Sequence, residues 1–183
     1  MAADDVKRIL STCDEELARV RRMVTGDVGT LTRMATAYAA CGAHAESAAR
    51  ELIDARTRLA AAWAAPTGED FQRDTAPLPG GCTAADTLCG QLSNGLHDTV
   101  RQLWRAERAV VEQIAAFRFD ASRLTAMARN STDSAAVVRR AQEVSERHTR
   151  AAVSIADGLS RGLLTFAETV TAQTRVFTSA TQH

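Results

Sequence analysis

Four cysteines, four histidines and scattered carboxylates are the side chains through which this chain could do chemistry. Cys13 and Cys41 fall on apolar faces of helical patterns, where a free thiol behaves as a small hydrophobe. Cys82 and Cys89, seven residues apart, share one face if both are helical. They could pair as a disulfide if Cys82 lies in a loop, although a reducing cytosol opposes that. The spacings match no zinc signature, and neither CxxC nor HExxH is present. His44, His97, His148 and His183 are dispersed, and His148, on an apolar stripe, reads as a boundary residue rather than a ligand. Asp54, Glu107 and Glu112 stand among arginines at helical spacing, the pattern of a salt-bridged, solvated face rather than a catalytic pair. There is no GxGxxG, GxxxxGKS or GxSxG, and no nucleophile with a base placed to activate it. The expectation is a protein that is not an enzyme, with no catalytic residues, cofactor, metal or small-molecule substrate.

Composition points the same way. The 183 residues carry 22 basic and 22 acidic side chains, a formal net charge of zero. Such a chain lacks the basic footprint of a nucleic-acid binder. Aromatics at 4% are too few for a sheet-rich core or for base-stacking platforms, and three Pro and ten Gly are too few for a loop-rich fold. Alanine is about a fifth of the chain, well above usual composition. Lys7 is the only lysine beside the many arginines, which looks like a GC-rich coding bias. The start has acids first and no apolar h-region, and no run approaches the ~20 apolar residues of a membrane span. Cytoplasmic synthesis without a signal peptide, and no transmembrane segment, are therefore expected.

The elements that must position these residues are helices. Val6, Leu10, Cys13, Leu17, Val20 and Val24 alternate by four and three, with acids at the start and arginines at the end. Thr25-Gly26-Asp27 reads as a break, with Gly26 in a left-handed cap and Asp27 capping the next helix. A second helix is predicted over 28–62, with a seam of Leu31, Met34, Tyr38, Cys41, Ala45, Ala48, Leu52, Ala55 and Leu59. Small seam residues allow close helix approach but stabilise little, at ~0.8 kcal/mol per buried methylene. The helix therefore depends on neighbours from its own chain or another. Pro66 ends it, Thr67 or a neighbour could cap a short helix reaching Asp74, and Thr75–Cys82, with two Pro and two Gly, interrupts again. A third long helix is predicted from near Thr83 to about Arg129, with Leu88, Leu92, Leu96, Leu103, Val110, Ile114, Phe117, Ala121 and Leu124 inward. Trp104 either widens that stripe or is exposed at its edge. Asn130–Asp133 is a turn. The last helix runs from about Ser134 to Thr178 through Val138, Ala141, His148, Ala152, Ile155, Leu159, Leu163, Phe166, Val170 and Phe177, and the tail beyond it frays. No strand pattern appears. The fold expected is an all-α antiparallel bundle of long helices with a short N-terminal helix. It forms a single domain over 1–183, with a hairpin at 26–74 and a long helix pair at 83–183.

Between Gly26 and Gln72 the sequence resembles the WXG-motif helical-hairpin superfamily, the small substrates of type VII secretion. In that family Gly-Asp opens an Ala-rich helix, Leu-x3-Trp ends it, a tight turn follows and an aromatic begins the second arm. The corresponding residues are Gly26-Asp27, Leu59, Trp63 and Phe71. The resemblance implies a hairpin-turn motif of Trp63, Pro66, Gly68 and Phe71. It also implies a helical protein partner, in a homo- or hetero-oligomer, met by Leu31, Met34, Tyr38, Leu52 and Leu59, and export by a type VII route. Departures are plain. The motif glycine is replaced in Trp63-Ala64-Ala65, with Gly68 placed to supply the turn. The second arm is cut at 77–81, and Tyr38, the only tyrosine, forms no Tyr-x3-Asp/Glu signal. A partner would then carry the export signal. A buried Trp63 implies that Trp63→Ala costs ~3–5 kcal/mol. Two further classes fit long amphipathic helices: a phasin-like coat on storage granules, using Leu163, Leu164, Phe166, Val170 and Phe177, and a coiled-coil adaptor built on Val6–Val24.

Overall fold

Apolar residues at alternating three- and four-residue steps wind the chain into helices, and no strand occurs among the described residues. A computed structural model describes residues 2–63 and 66–181. Its elements are α1 (Ala2–Val24), α2 (Val28–Ala62), α3 (Pro66–Asp74), α4 (Leu78–Asn130) and α5 (Ser134–Thr181). The expected bounds of α2 hold at both ends. The break predicted over Thr75–Cys82 shrinks to a turn. Leu78 N–H donates to the Thr75 carbonyl at 3.2 Å and Gly81 N–H to that of Pro77 at 3.1 Å, so α4 begins at Leu78. Pro79 is tolerated because it falls in a first turn, where its missing N–H would have no helical partner. At the other turn Asp133 caps α5, its Oδ1 accepting from Ala136 N–H at 2.9 Å. The helix expected to end near Thr178 reaches Thr181, while Met1, Ala64, Ala65, Gln182 and His183 lie outside the described residues. Among those described, no helix is long and apolar enough to cross a membrane.

The chain divides into two compact units, Met1–Asp27 with Arg101–Leu163 and Val28–Val100 with Leu164–His183. Helices α4 and α5 contribute to both, so neither the 26–74 hairpin nor the 83–183 pair coincides with one unit.

In the first unit α1 and the two long helices pack antiparallel in sequence order. Asp14 meets Arg118 at 3.1 Å and Arg21 meets Glu107 at 3.8 Å, while Gln113 and Asp120 of α4 meet His148 of α5. All six seam residues of α1 are buried. Val6, Leu17, Val20, Val24, Val110 and Phe117 are the largest side chains in the molecule with essentially no exposure, and all belong to this unit. Gly26 does not adopt the expected left-handed cap, since no described glycine has positive φ. Space decides that position instead: a Cβ there would lie 3.0 Å from Leu103 Cδ1.

The second unit has a thinner core. In α2 the buried residues are Ala35, Gly42 and Ala49, at seven-residue intervals, flanked by half-buried Leu31, Tyr38, Ala45 and Leu52. The predicted seam was right at those four flanking residues and one residue early at Met34, Cys41 and Ala48, all of which are exposed. At 34/35 and 41/42 the smaller side chain takes the inward position because it lets the helix axes close, and Ala49 follows in the same seven-residue phase. A Cβ on Gly42 would stand 3.3 Å from Cys89 Cβ and 2.9 Å from Asp86 Oδ1 of α4. Likewise the Phe166 ring of α5 fills the space a side chain at Gly95 would need. Substitution tests this phase. Ala35→Leu should cost about 1–3 kcal/mol through overpacking, and Met34→Ala should change stability by less than ~0.5 kcal/mol, as at a surface site. Denaturant unfolding checks both, and a costlier Met34→Ala would contradict the observed phase.

Candidate functional site

The α2–α3 corner is built by backbone proximity and one polar clamp. The Trp63 amide closes the last turn of α2 on the Leu59 carbonyl at 2.9 Å, and Pro66 opens α3. Gly68 is buried, and a Cβ there would lie 2.5 Å from the Trp63 carbonyl oxygen and 3.4 Å from its indole Cγ. What the position of Gly68 requires is room for Trp63 and not an unusual φ. The replaced glycine of Trp63-Ala64-Ala65 lies outside the described residues. Thr67 lies inside α3 and not before it as a cap. Trp63 is 45% exposed and Phe71 38%, so the two aromatics do not supply the buried packing expected of them. The ~3–5 kcal/mol expected for Trp63→Ala applies to a fully buried ring and does not hold here.

What holds α3 on α2 is Arg56. Its Nη2 donates to the Gln72 carbonyl at 2.8 Å, Nη1 to the Thr75 carbonyl at 3.3 Å and Nε to Gln72 Oε1 at 3.2 Å. Gln72 Nε2 returns a bond to the Arg56 carbonyl at 2.9 Å. A guanidinium fork thus satisfies carbonyls at the C-terminal end of α3, where positive charge also suits the helix dipole. Arg56 continues the inward series 35, 42, 49, and that spacing was the one sequence signal that could have found it.

The implied partner face splits in two. Leu31, Tyr38 and Leu52 are half-buried in their own unit, whereas Met34 at 42% and Leu59 are exposed. With Cys41 and Ala48 they form an outward row: 34, 41 and 48 at seven-residue steps, then Leu59 and Trp63 four apart. The apolar stripe of α2 is therefore wider than its own unit covers. On α4, Trp104 proves exposed, with Val111 and Phe119 on the same side and the Arg123 guanidinium 5.9 Å from the Phe119 ring centre.

The remaining reactive groups are dispersed, and no described group of three or more His, Cys, Asp or Glu is placed to hold a metal ion. Glu107 and Glu112 pair with Arg21 and Arg108. His148 is buried and not at a boundary. Its Nδ1 lies 3.1 Å from Gln113 Oε1, its Nε2 3.1 Å from Asp120 Oδ2, and its ring meets the Phe117 ring edge-on at 5.8 Å. Arg147 also reaches Asp120 Oδ2 at 2.7 Å, so Gln113 and Asp120 satisfy a ring that would otherwise be costly to bury. Cys13 is buried with its Sγ 3.5 Å from Thr149 Oγ1, and burial pushes its thiol pKa up. Cys82 lies within α4, so it and Cys89 are both helical, about 10.5 Å apart along the axis, and cannot pair. Cys41 is exposed, contrary to its expected place in the seam.

Comparison with protein-family models, with curated proteins and with solved structures gives no match.

The clamp predicts a local effect. Arg56→Ala should raise amide hydrogen exchange in α3 by about tenfold, ~1.4 kcal/mol of lost local protection, and leave α1 unchanged. Unaltered exchange over residues 66–74 would show that Arg56 does not hold the corner.

Proposed function

We propose that this chain is a helical interaction protein that docks a second helical chain along the exposed flank of α2. In this reading it acts in type VII secretion, as a substrate or as the non-signal partner of a secreted toxin. The observation that carries the interaction is the row Met34, Cys41, Ala48, Leu59 and Trp63, left uncovered because Ala35, Gly42 and Ala49 take the inward positions. Apolar positions at seven-residue intervals on a helix are what a partner helix needs for knobs-into-holes packing. The secretion assignment draws on the likeness of the Gly26–Gln72 segment to the WXG-motif superfamily. The close seating of Gly68 on Trp63 lends it support. A granule coat has less to draw on, since Phe166, Val170 and Phe177 are half-buried within the second unit, leaving Leu164 and Val176 as the strongly exposed large apolar residues of that segment.

Affinity capture of the tagged chain from its native host, with mass spectrometry of what co-purifies, tests the reading. A stoichiometric helical chain bearing an intact Trp-x-Gly turn or a Tyr-x3-Asp/Glu signal is expected. Met34→Glu and Leu59→Glu should weaken its binding at least about tenfold, ~1.4 kcal/mol, with helicity by circular dichroism unchanged. Granule proteins, no partner, or binding indifferent to both substitutions would overturn it.

A further inference from the structure

The close approach of α2 to α4 brings two thiols together. Gly42 has no side chain, and Cys89 Cβ lies 3.3 Å from where its Cβ would be. Cys41, the next residue along α2, is near enough to Cys89 to help raise its thiol pKa. Both thiols are free; Cys41 is exposed and Cys89 buried. Cys82, one face-repeat away on α4, has no route to Cys89 while both remain helical.

We infer that Cys41 and Cys89 are a redox modification site, a dithiol that closes to an intramolecular disulfide joining α2 to α4. The co-reactant is a small-molecule disulfide of the glutathione class. The accessible Cys41 thiolate attacks one sulfur of that disulfide, forming a mixed disulfide and releasing one thiolate. The Cys89 thiolate then attacks Cys41 Sγ and expels the second. Two protein thiols and one external disulfide become one protein disulfide and two external thiols, so protons and electrons balance. The sulfur atoms must close to about 2.05 Å, and the seating of Cys89 against Gly42, the residue beside Cys41, is what draws the two helices together there. Burial, the Cys41 thiol and Asp86 raise the Cys89 pKa, so Cys41 is the attacking group and Cys89 the resolving one. The linkage bridges the part of the second unit whose buried seam is only Ala35, Gly42 and Ala49. Cys41 also stands in the outward row of α2, so a docked partner would shield it from the external disulfide, while the chain alone is enough to form the linkage.

The test equilibrates the purified full-length chain, at high dilution, with reduced and oxidised glutathione. Free thiols are then alkylated and the chain is digested without reductant for mass spectrometry. A Cys41–Cys89 linked peptide pair, two hydrogens lighter than its reduced halves, is expected, with Cys13 and Cys82 alkylated. It should vanish with excess dithiol reductant and in Cys41→Ser, persist in Cys82→Ser, and slow amide exchange over residues 35–49 when formed. Gly42→Ala, which forces the helices apart, should slow its formation severalfold. Glutathione adducts on Cys41 without the cross-link, a Cys82–Cys89 linkage, or a covalent dimer would each overturn the inference.

Discussion

A single seven-residue rhythm in α4 is the constraint on which both compact units are built. Cys89, Leu96, Leu103, Val110, Phe117 and Leu124 are buried at a constant interval, with Leu92, Thr99 and Ala106 between them. Within each unit, a helix that keeps this repeat presents a seam to its neighbours. In the first unit α1 and α5 lay large aliphatic side chains against it. In the second, α2 meets it with Ala35, Gly42 and Ala49. The same scaffold thus supports two kinds of packing, one filled by side-chain volume and one by backbone proximity.

Those two kinds of packing have different energetic weight. Buried Leu, Val and Phe side chains contribute about 1.5–3 kcal/mol each relative to exposure. Ala and Gly contribute far less, so the second unit leans on features outside its seam. Arg56 ties α3 to α2 through four hydrogen bonds, and Phe166 packs onto Gly95. The uncovered flank of α2 and the close approach of Gly42 to Cys89 belong to this same unit. A segment with little buried apolar volume is the natural place for partner binding and covalent reinforcement to matter.

Legibility of the sequence followed side-chain size. In α1 every seam residue was readable, since bulky aliphatics at four-three spacing leave one solution. In α2 the pattern held at Leu31, Tyr38, Ala45 and Leu52 but drifted at Met34 and Cys41, where the larger residue drew the assignment and the structure buries the smaller neighbour. The Pro77–Gly81 stretch was read as a break; its real extent depended on how few residues a turn needs before Pro79 fits a first helical turn. The Arg56 clamp and the Gly42–Cys89 approach join residues 16 and 47 positions apart, and the register of facing helices that creates them is not written in local spacing. Trp63 and Gly68 were found together, although the ring is more exposed than a corner anchor would be.

The discontinuity of the first unit also sets an order of events in synthesis. Helix α1 leaves the ribosome before the rest of its unit, and Arg118 and Thr149, which Asp14 and Cys13 contact, lie 104 and 136 residues downstream. At synthesis rates of 5–20 residues per second that is a wait of roughly five to thirty seconds. Closing loops of this length costs chain entropy before any contact returns it. The α2–α3 hairpin, whose clamp spans only 16 residues, can form during that interval. The better-filled unit therefore waits for Leu163 and the second unit for the residues after it, and the waiting amphipathic helix α1 is the nascent segment in greatest need of a chaperone.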